Sequence, residues 1–187
     1  NQPPQCIAQC GLTDAEFVDA ERIYTQARGA TPDDQLCPST VSADQVRLYE
    51  QSATMFVTAV NAHPNHDHAP DALVRAAIAL ECTSRYESAS HLYERVIDEV
   101  GPRQASDSVP QQQLDSILAT AYFRLAYTAN RFFDYDRAVQ NYRTLADSQR
   151  FQRSTDPQMP GRRTDALINA ARILEFQQDY THATEYY

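Results

Sequence analysis

Three of the chain's five histidines stand in one short run, His63-Pro64-Asn65-His66-Asp67-His68. Three imidazoles with a carboxylate among them are a donor set that a transition metal accepts. The spacing argues against such a site. A proline interrupts the run, and no His-x3-His on a helix holds two rings on one face, so nothing preorganises His63, His66 and His68 as ligands. A polar turn between helices is the expectation, with a metal site as the alternative.

The four cysteines, Cys6, Cys10, Cys37 and Cys82, pose a second choice. Cys6-x3-Cys10 with no second close pair makes a poor zinc site. Reduced, they would be small apolar residues of a core. Yet three of the four lie in Pro-, Gln- and Gly-rich connecting segments. Disulfides are therefore expected. Four cysteines allow three pairings, and Cys6–Cys10 with Cys37–Cys82 is the first choice. Such bonds imply an extracytoplasmic location: periplasmic, outer-membrane-associated or extracellular.

Signs of catalysis are sparse. The chain has no Gly-rich phosphate loop, no Gly-x-Ser-x-Gly elbow and no His-Glu-x2-His helix. Asp134, Asp136 and Asp179 fall where helices begin, and carboxylates there cap backbone N–H groups. No enzyme is expected and no cofactor is implied. The formal charge of −9, with no basic stripe to neutralise phosphates, argues against nucleic acid and against an anionic membrane surface. No apolar run approaches the roughly 18 residues of a membrane helix, so no insertion is expected in this segment.

The elements that position these groups announce themselves through aromatic spacing. Phe17–Tyr24, Tyr49–Phe56, Tyr86–Tyr93, Tyr135–Tyr142 and Tyr180–Tyr187 are the five places where two aromatics stand seven apart. Each pair flanks a small residue three after its first ring: Ala20, Ser52, Ala89, Ala138 and Ala183. On a helix these three positions share one face, so the pattern reads as an internal helical repeat.

Around these stretches the remaining signals are helical too. Thr13-Asp14-Ala15-Glu16 has capping-box spacing, and Gly29 is a terminator. Ser42 reads as the cap of a helix stopped by Pro64. Further helices are expected over Asp71–Thr83, from Tyr86 to Gly101-Pro102, over Leu114–Arg131, from Tyr135, over Thr164–Gln177 with Thr164 as cap, and from Asp179. Residues 103–112 and Ser148–Gly161 read as polar linkers. No stretch alternates with period two, so the fold class is all-α: antiparallel helix hairpins. Residues 1–12 read as an irregular segment, 13–64 as degenerate helical repeats and 65–187 as better-formed repeats. The last repeat breaks off in mid-pattern at Tyr187, and a continuation beyond it is expected.

These features resemble the tetratricopeptide repeat family, whose hairpins pair a large–apolar–small–large helix with an aromatic–alanine–aromatic one. Leu73, Ala76-Ala77 and Leu80 precede Tyr86, Ala89 and Tyr93. Tyr122, Leu125-Ala126 and Ala129 precede Tyr135, Ala138 and Tyr142. Leu167, Ala170-Ala171 and Leu174 precede Tyr180, Ala183 and Tyr187. The first two stretches match on their second helix only. Spacings of 49 and 45 residues between successive leading tyrosines exceed the family's 34, the excess lying in the two linkers.

The resemblance implies a right-handed α-solenoid whose first helices line a groove that binds protein segments. By matched position that strip is Val74, Ile78 and Cys82, then Phe123, Tyr127 and Arg131, then Ile168, Arg172 and Phe176. Packing of the strip on the chain's own linkers or on the next repeat is the alternative. A lysine-based clamp for a terminal carboxylate, known in one branch of the family, is not evident, because the chain has no lysine. The implied function is a non-enzymatic scaffold or adaptor of a bacterial envelope or cell-surface complex, its partner another protein. A subunit that self-associates into a filament or large homo-oligomer is the rival.

Overall fold

A computed structural model describes residues 4–32, 35–106 and 109–187, the side chains of 4–13 excepted. Among the described residues every regular element is a helix. The elements are α1 (Pro4–Arg28), α2 (Ala43–Ala62), α3 (Ala69–Cys82), α4 (Tyr86–Val100), α5 (Gln111–Arg131), α6 (Tyr135–Asp147), α7 (Gln149–Gln152), α8 (Met159–Phe176) and α9 (Tyr180–Ala183). They fall into two compact units, residues 1–92 and 93–187, divided within α4. The expected boundary at 64–65 lies in the loop between α2 and α3, which pack together in the first unit.

In that unit α1 and α2 face one another through their aromatic stretches. Ala20 and Ser52 are fully buried, and the Tyr24 ring meets Tyr49 at 5.9 Å and Phe56 at 6.2 Å, edge-on. Two stretches expected on second helices of separate hairpins thus pack directly against each other. Ser42 forms the full capping box: its Oγ accepts from Gln45 N–H at 3.2 Å, while its own N–H donates to Gln45 Oε1 at 3.1 Å. Cys37 and Cys82 are bonded across a separation of 45 residues, tying the segment before α2 to the end of α3. Closing a loop of that length contributes about 4 kcal/mol in the chain-entropy account. The bond itself points to an oxidising environment. The Cys6–Cys10 pairing falls on side chains outside those described.

Three turns carry one geometry. After α3, α5 and α8, the residues Ser84, Phe133 and Gln178 take φ of 61°, 61° and 64°. The next residue's N–H, of Arg85, Asp134 and Asp179, donates five back to Leu80 O, Ala129 O and Leu174 O at 2.9, 3.0 and 2.9 Å. The left-handed residue donates three back, to Glu81 O, Asn130 O and Glu175 O at 2.9, 3.1 and 2.9 Å. This is the Schellman closure, which satisfies the last carbonyls of one helix while reversing the chain into the next. The three turns precede Tyr86, Tyr135 and Tyr180 by the same two residues. The repeat is therefore written in the backbone as well as in the rings.

The second unit holds the remainder of α4 with α5–α9. Its core includes Tyr93, Val96, Leu114, Leu118, Leu145 and Met159, with Ala138 and Ala183 at the repeat's small position. All five small residues of the pattern are at most 2% exposed.

Three expectations are corrected. Residues 4–12 are helical, because α1 begins at Pro4 and passes through Thr13 without a break. Proline is tolerated at the first position of a helix, where its missing N–H would have no partner. The helix expected from Thr164 begins earlier, at Met159. Pro160 sits in its first turn, and the Thr164 hydroxyl donates back to Pro160 O at 3.1 Å from inside the helix. Finally, Ser148–Gly161 is not a plain linker. It contains α7, with Phe151 buried edge-on to Tyr122 at 5.9 Å.

Candidate functional site

The histidine run lies in the α2–α3 loop and its rings are engaged with α1. His66 Nδ1 accepts from the His68 N–H at 3.2 Å, which leaves Nε2–H to donate to Asp14 Oδ1 at 3.1 Å. His63 Nε2 stands 3.6 Å from a different carboxylate, Glu16 Oε2. The His66 ring stacks on Phe17 at 4.7 Å, and His68 tilts against the same ring at 6.1 Å. The nitrogens thus turn to separate partners, and among the described residues no group of three His, Cys, Asp or Glu is placed to hold a metal ion. The run clasps α1 to the loop.

A cleft of the second unit, about 690 Å³, opens between the C-terminal turns of α5, the first half of α6 and the C-terminal half of α8. Helix periodicity explains its walls. Tyr127, Asn130 and Arg131 share one face at the end of α5, and Asn169, Arg172, Ile173 and Phe176 share one face of α8. Phe133, held at the left-handed turn, and Tyr135 and Tyr142 on α6 complete it.

The rings form two groups. Phe133 meets Tyr135 at 6.2 Å, Tyr135 meets Phe176 at 5.5 Å, and the half-buried Phe123 supports Tyr142 edge-on at 5.2 Å. The Arg124 guanidinium lies over the Tyr127 ring at 4.4 Å. Burial pushes the Tyr142 phenol up to about 12, against the opposing pull of Arg124, so it faces the cleft as a neutral hydroxyl. Phe133 and Phe176 are 76% and 72% exposed, a large apolar presentation for an uncovered surface. No acidic side chain lines the cleft, whereas Arg131 and Arg172 both do.

Of the residues expected to form a groove, Tyr127, Arg131, Arg172 and Phe176 come together here. Phe123 stands behind Tyr142, and Ile168 is half-buried outside the lining. Val74 and Ile78 belong to the first unit, where Val74 is buried in the core and Cys82 is taken up by its disulfide. Tyr135 and Tyr142, the two rings of the fourth aromatic stretch, also line the cleft. Phe133 could not be found from spacing, because a phenylalanine in left-handed conformation has no sequence signature.

Aromatic faces, the Arg131 and Arg172 side chains and the amides of Asn130 and Asn169 line the cleft. No known family model matches the sequence, and no curated protein matches it.

Proposed function

We propose that the chain is a non-enzymatic helical-repeat scaffold of tetratricopeptide type, a right-handed solenoid that holds a segment of another protein. The observation that carries this reading is the threefold recurrence of one Schellman turn, each time two residues before the leading tyrosine of a buried-alanine stretch. Hairpins that bury one stripe each complete their cores by stacking, and such stacks present their first helices to ligands. The aromatic cleft lies on two of those helices, α5 and α8. The Cys37–Cys82 bond supports work outside the cytoplasm, in a bacterial envelope or cell-surface complex.

A second reading, a self-associating subunit of a filament or large homo-oligomer, draws on the exposed rings of Tyr180 and Tyr187, at 62% and 71%. One experiment separates the two. A photo-reactive benzoylphenylalanine replacing Phe176 crosslinks a different polypeptide in the native source if the scaffold reading holds, and the same probe replacing exposed Gln152 does not. Crosslinks only to further copies of this chain would favour the subunit; equal crosslinking from both positions would remove the cleft from consideration.

A further inference from the structure

The chain's acidity is unevenly shared. Residues 1–92 hold twelve carboxylates against five arginines and so carry −7 of the net −9. The first unit therefore has the stronger negative field, which draws cationic groups to it. It also has a cleft of its own, about 320 Å³, between α1 and α3. Phe17, Val18 and Glu21 line it from adjoining turns of α1. Asp71, Ala72 and Arg75 line it from one face of α3, with His68 just before that helix and Phe56 of α2 between the walls. Phe17 and Phe56 are buried, whereas Val18 is 61% exposed. Among the described residues, Val18 is the one large apolar side chain of the first unit that stays exposed. Beside the two rings it makes an apolar bed with an acidic rim.

Arg75 organises that rim. Its Nη1 donates to Glu21 Oε1 at 2.9 Å and its Nε to Asp71 Oδ2, which holds carboxylates from both walls at the cleft. One guanidinium for two carboxylates leaves one negative charge unbalanced. It also leaves one oxygen on each acid: Glu21 Oε2 and Asp71 Oδ1 accept no hydrogen bond from the described residues. Single acceptors on two separate carboxylates suit an ammonium, whose three donors turn freely on a flexible stem. The apolar bed suits the stem, since lysine lays its methylenes on apolar surface while its charged head stays among polar groups and water.

We infer that the α1–α3 cleft takes a lysine side chain of a basic segment of a partner protein, its stem along Val18 and its ammonium at Glu21 and Asp71. The chain contains no lysine, so a second copy of it cannot be this occupant. The contact is distinct from the aromatic cleft of the second unit and gives the scaffold a second site of different chemistry. Charge steers the segment to the first unit, and the cleft fixes one side chain of it. Salt weakens the contact, because the charges involved are partly exposed.

The test uses the whole chain and three fluorescein-labelled peptides of one Ser/Gly frame, carrying Lys, acetyl-lysine or Glu at alternate positions. Acetylation keeps the stem and removes the charge. Anisotropy at low ionic strength is expected to show the Lys peptide binding about threefold or more tightly than the acetyl-lysine peptide, with the Glu peptide weakest. Glu21→Gln with Asp71→Asn should abolish the preference for Lys, and Asp136→Asn with Asp147→Asn in the second unit should leave it intact. Val18→Ser, at an exposed position that the fold does not need, should weaken the Lys and acetyl-lysine peptides alike. Equal binding of those two by the unmodified chain, or a preference for Glu, would overturn the inference. A Lys preference that survives Glu21→Gln with Asp71→Asn would assign the attraction to the acidic surface at large and overturn the cleft as its seat. Unchanged binding by Val18→Ser would overturn the place given to the stem. Binding of none of the three would overturn the inference and leave the scaffold reading to be decided by the crosslinks from position 176.

Discussion

Arg150 on α7 donates from Nε to Oδ1 of Asp115 on α5 at 2.7 Å, and from Nη1 to Gly101 O at 2.7 Å. Asp115 is 3% exposed and also accepts from Gln111 Nε2 at 2.7 Å. A stretch that reads as linker thus supplies the counter-charge for a carboxylate buried in the second unit. Neighbouring arginines act alike: Arg162 donates to Ser116 O at 3.0 Å and Arg163 to Ala146 O at 2.7 Å. Residues between α6 and α8 and at the start of α8 are built into the second unit as bracing.

Arg150→Met should therefore destabilise by about 3 kcal/mol, because it strands a buried carboxylate, while Arg150→Met with Asp115→Leu should recover most of the loss. Urea unfolding of the four species of this cycle measures the coupling. Additive losses would show that the two residues act independently.

The burial of Ala138 sets a second expectation. Its side chain is fully enclosed between the turns that carry Tyr135 and Tyr142, so a larger group has no room. Ala138→Leu should cost about 1–3 kcal/mol by overpacking. Gln140→Leu, at an exposed position two residues on, should change stability by less than about 0.5 kcal/mol. Equal midpoints for the two variants in thermal melts would place the repeat in the wrong register.

The left-handed turns give a prediction of opposite sign. Ser84 occupies φ 61° with a Cβ that disfavours this region by about 1–2 kcal/mol. Ser84→Gly removes that cost and adds unfolded-state freedom, for a net gain of about 0.5 kcal/mol. Ser84→Val, β-branched at the same φ, should lose more than about 1 kcal/mol. Chemical denaturation of both variants checks the order, and a stabilising valine would contradict the turn geometry.

How much of this could be read beforehand follows from the range of the forces involved. Ser42, Asp134 and Asp179 are N-caps as their types and places indicate, since a cap needs one side chain and a backbone N–H two or three residues on. The five small residues were legible because burial on one helix face leaves a local period. The segment 1–12 and the linker Ser148–Gly161 misled, because Pro4 and Pro160 sit in the first turns of helices, where proline is tolerated. Phe151 and Arg150 were hidden for a different reason: their partners, Tyr122 and Asp115, lie about 30 residues away in sequence, and no local pattern records such a contact. In the cleft, Tyr127 and Arg131 were expected by matched position in the family that the chain resembles.

At α9 the chain carries a local acid–base pair whose pH response has a definite sign. Asp179 Oδ1 accepts from His182 N–H at 3.2 Å as the helix cap, and Oδ2 meets His182 Nδ1 at 2.7 Å. That side-chain hydrogen bond, with the attraction of the two charges, raises the His182 imidazolium above its ordinary value of 6.5. The same bond, with the backbone one, holds the Asp179 carboxyl below its ordinary value of 3.8. The histidine's contribution is complete below pH 6.5 and is lost as pH rises through its elevated folded value. The aspartate's is present above 3.8 and is lost as pH falls through its depressed one. The pair is therefore tightest between the two ordinary values. Asp179→Asn keeps a capping side chain and removes the charge, so α9 should persist while His182 titrates lower. An NMR titration of the His182 ring should show a midpoint above 6.5 in the native chain and a fall towards 6.5 in the variant. An unchanged midpoint would mean that Asp179 caps α9 without holding the imidazolium.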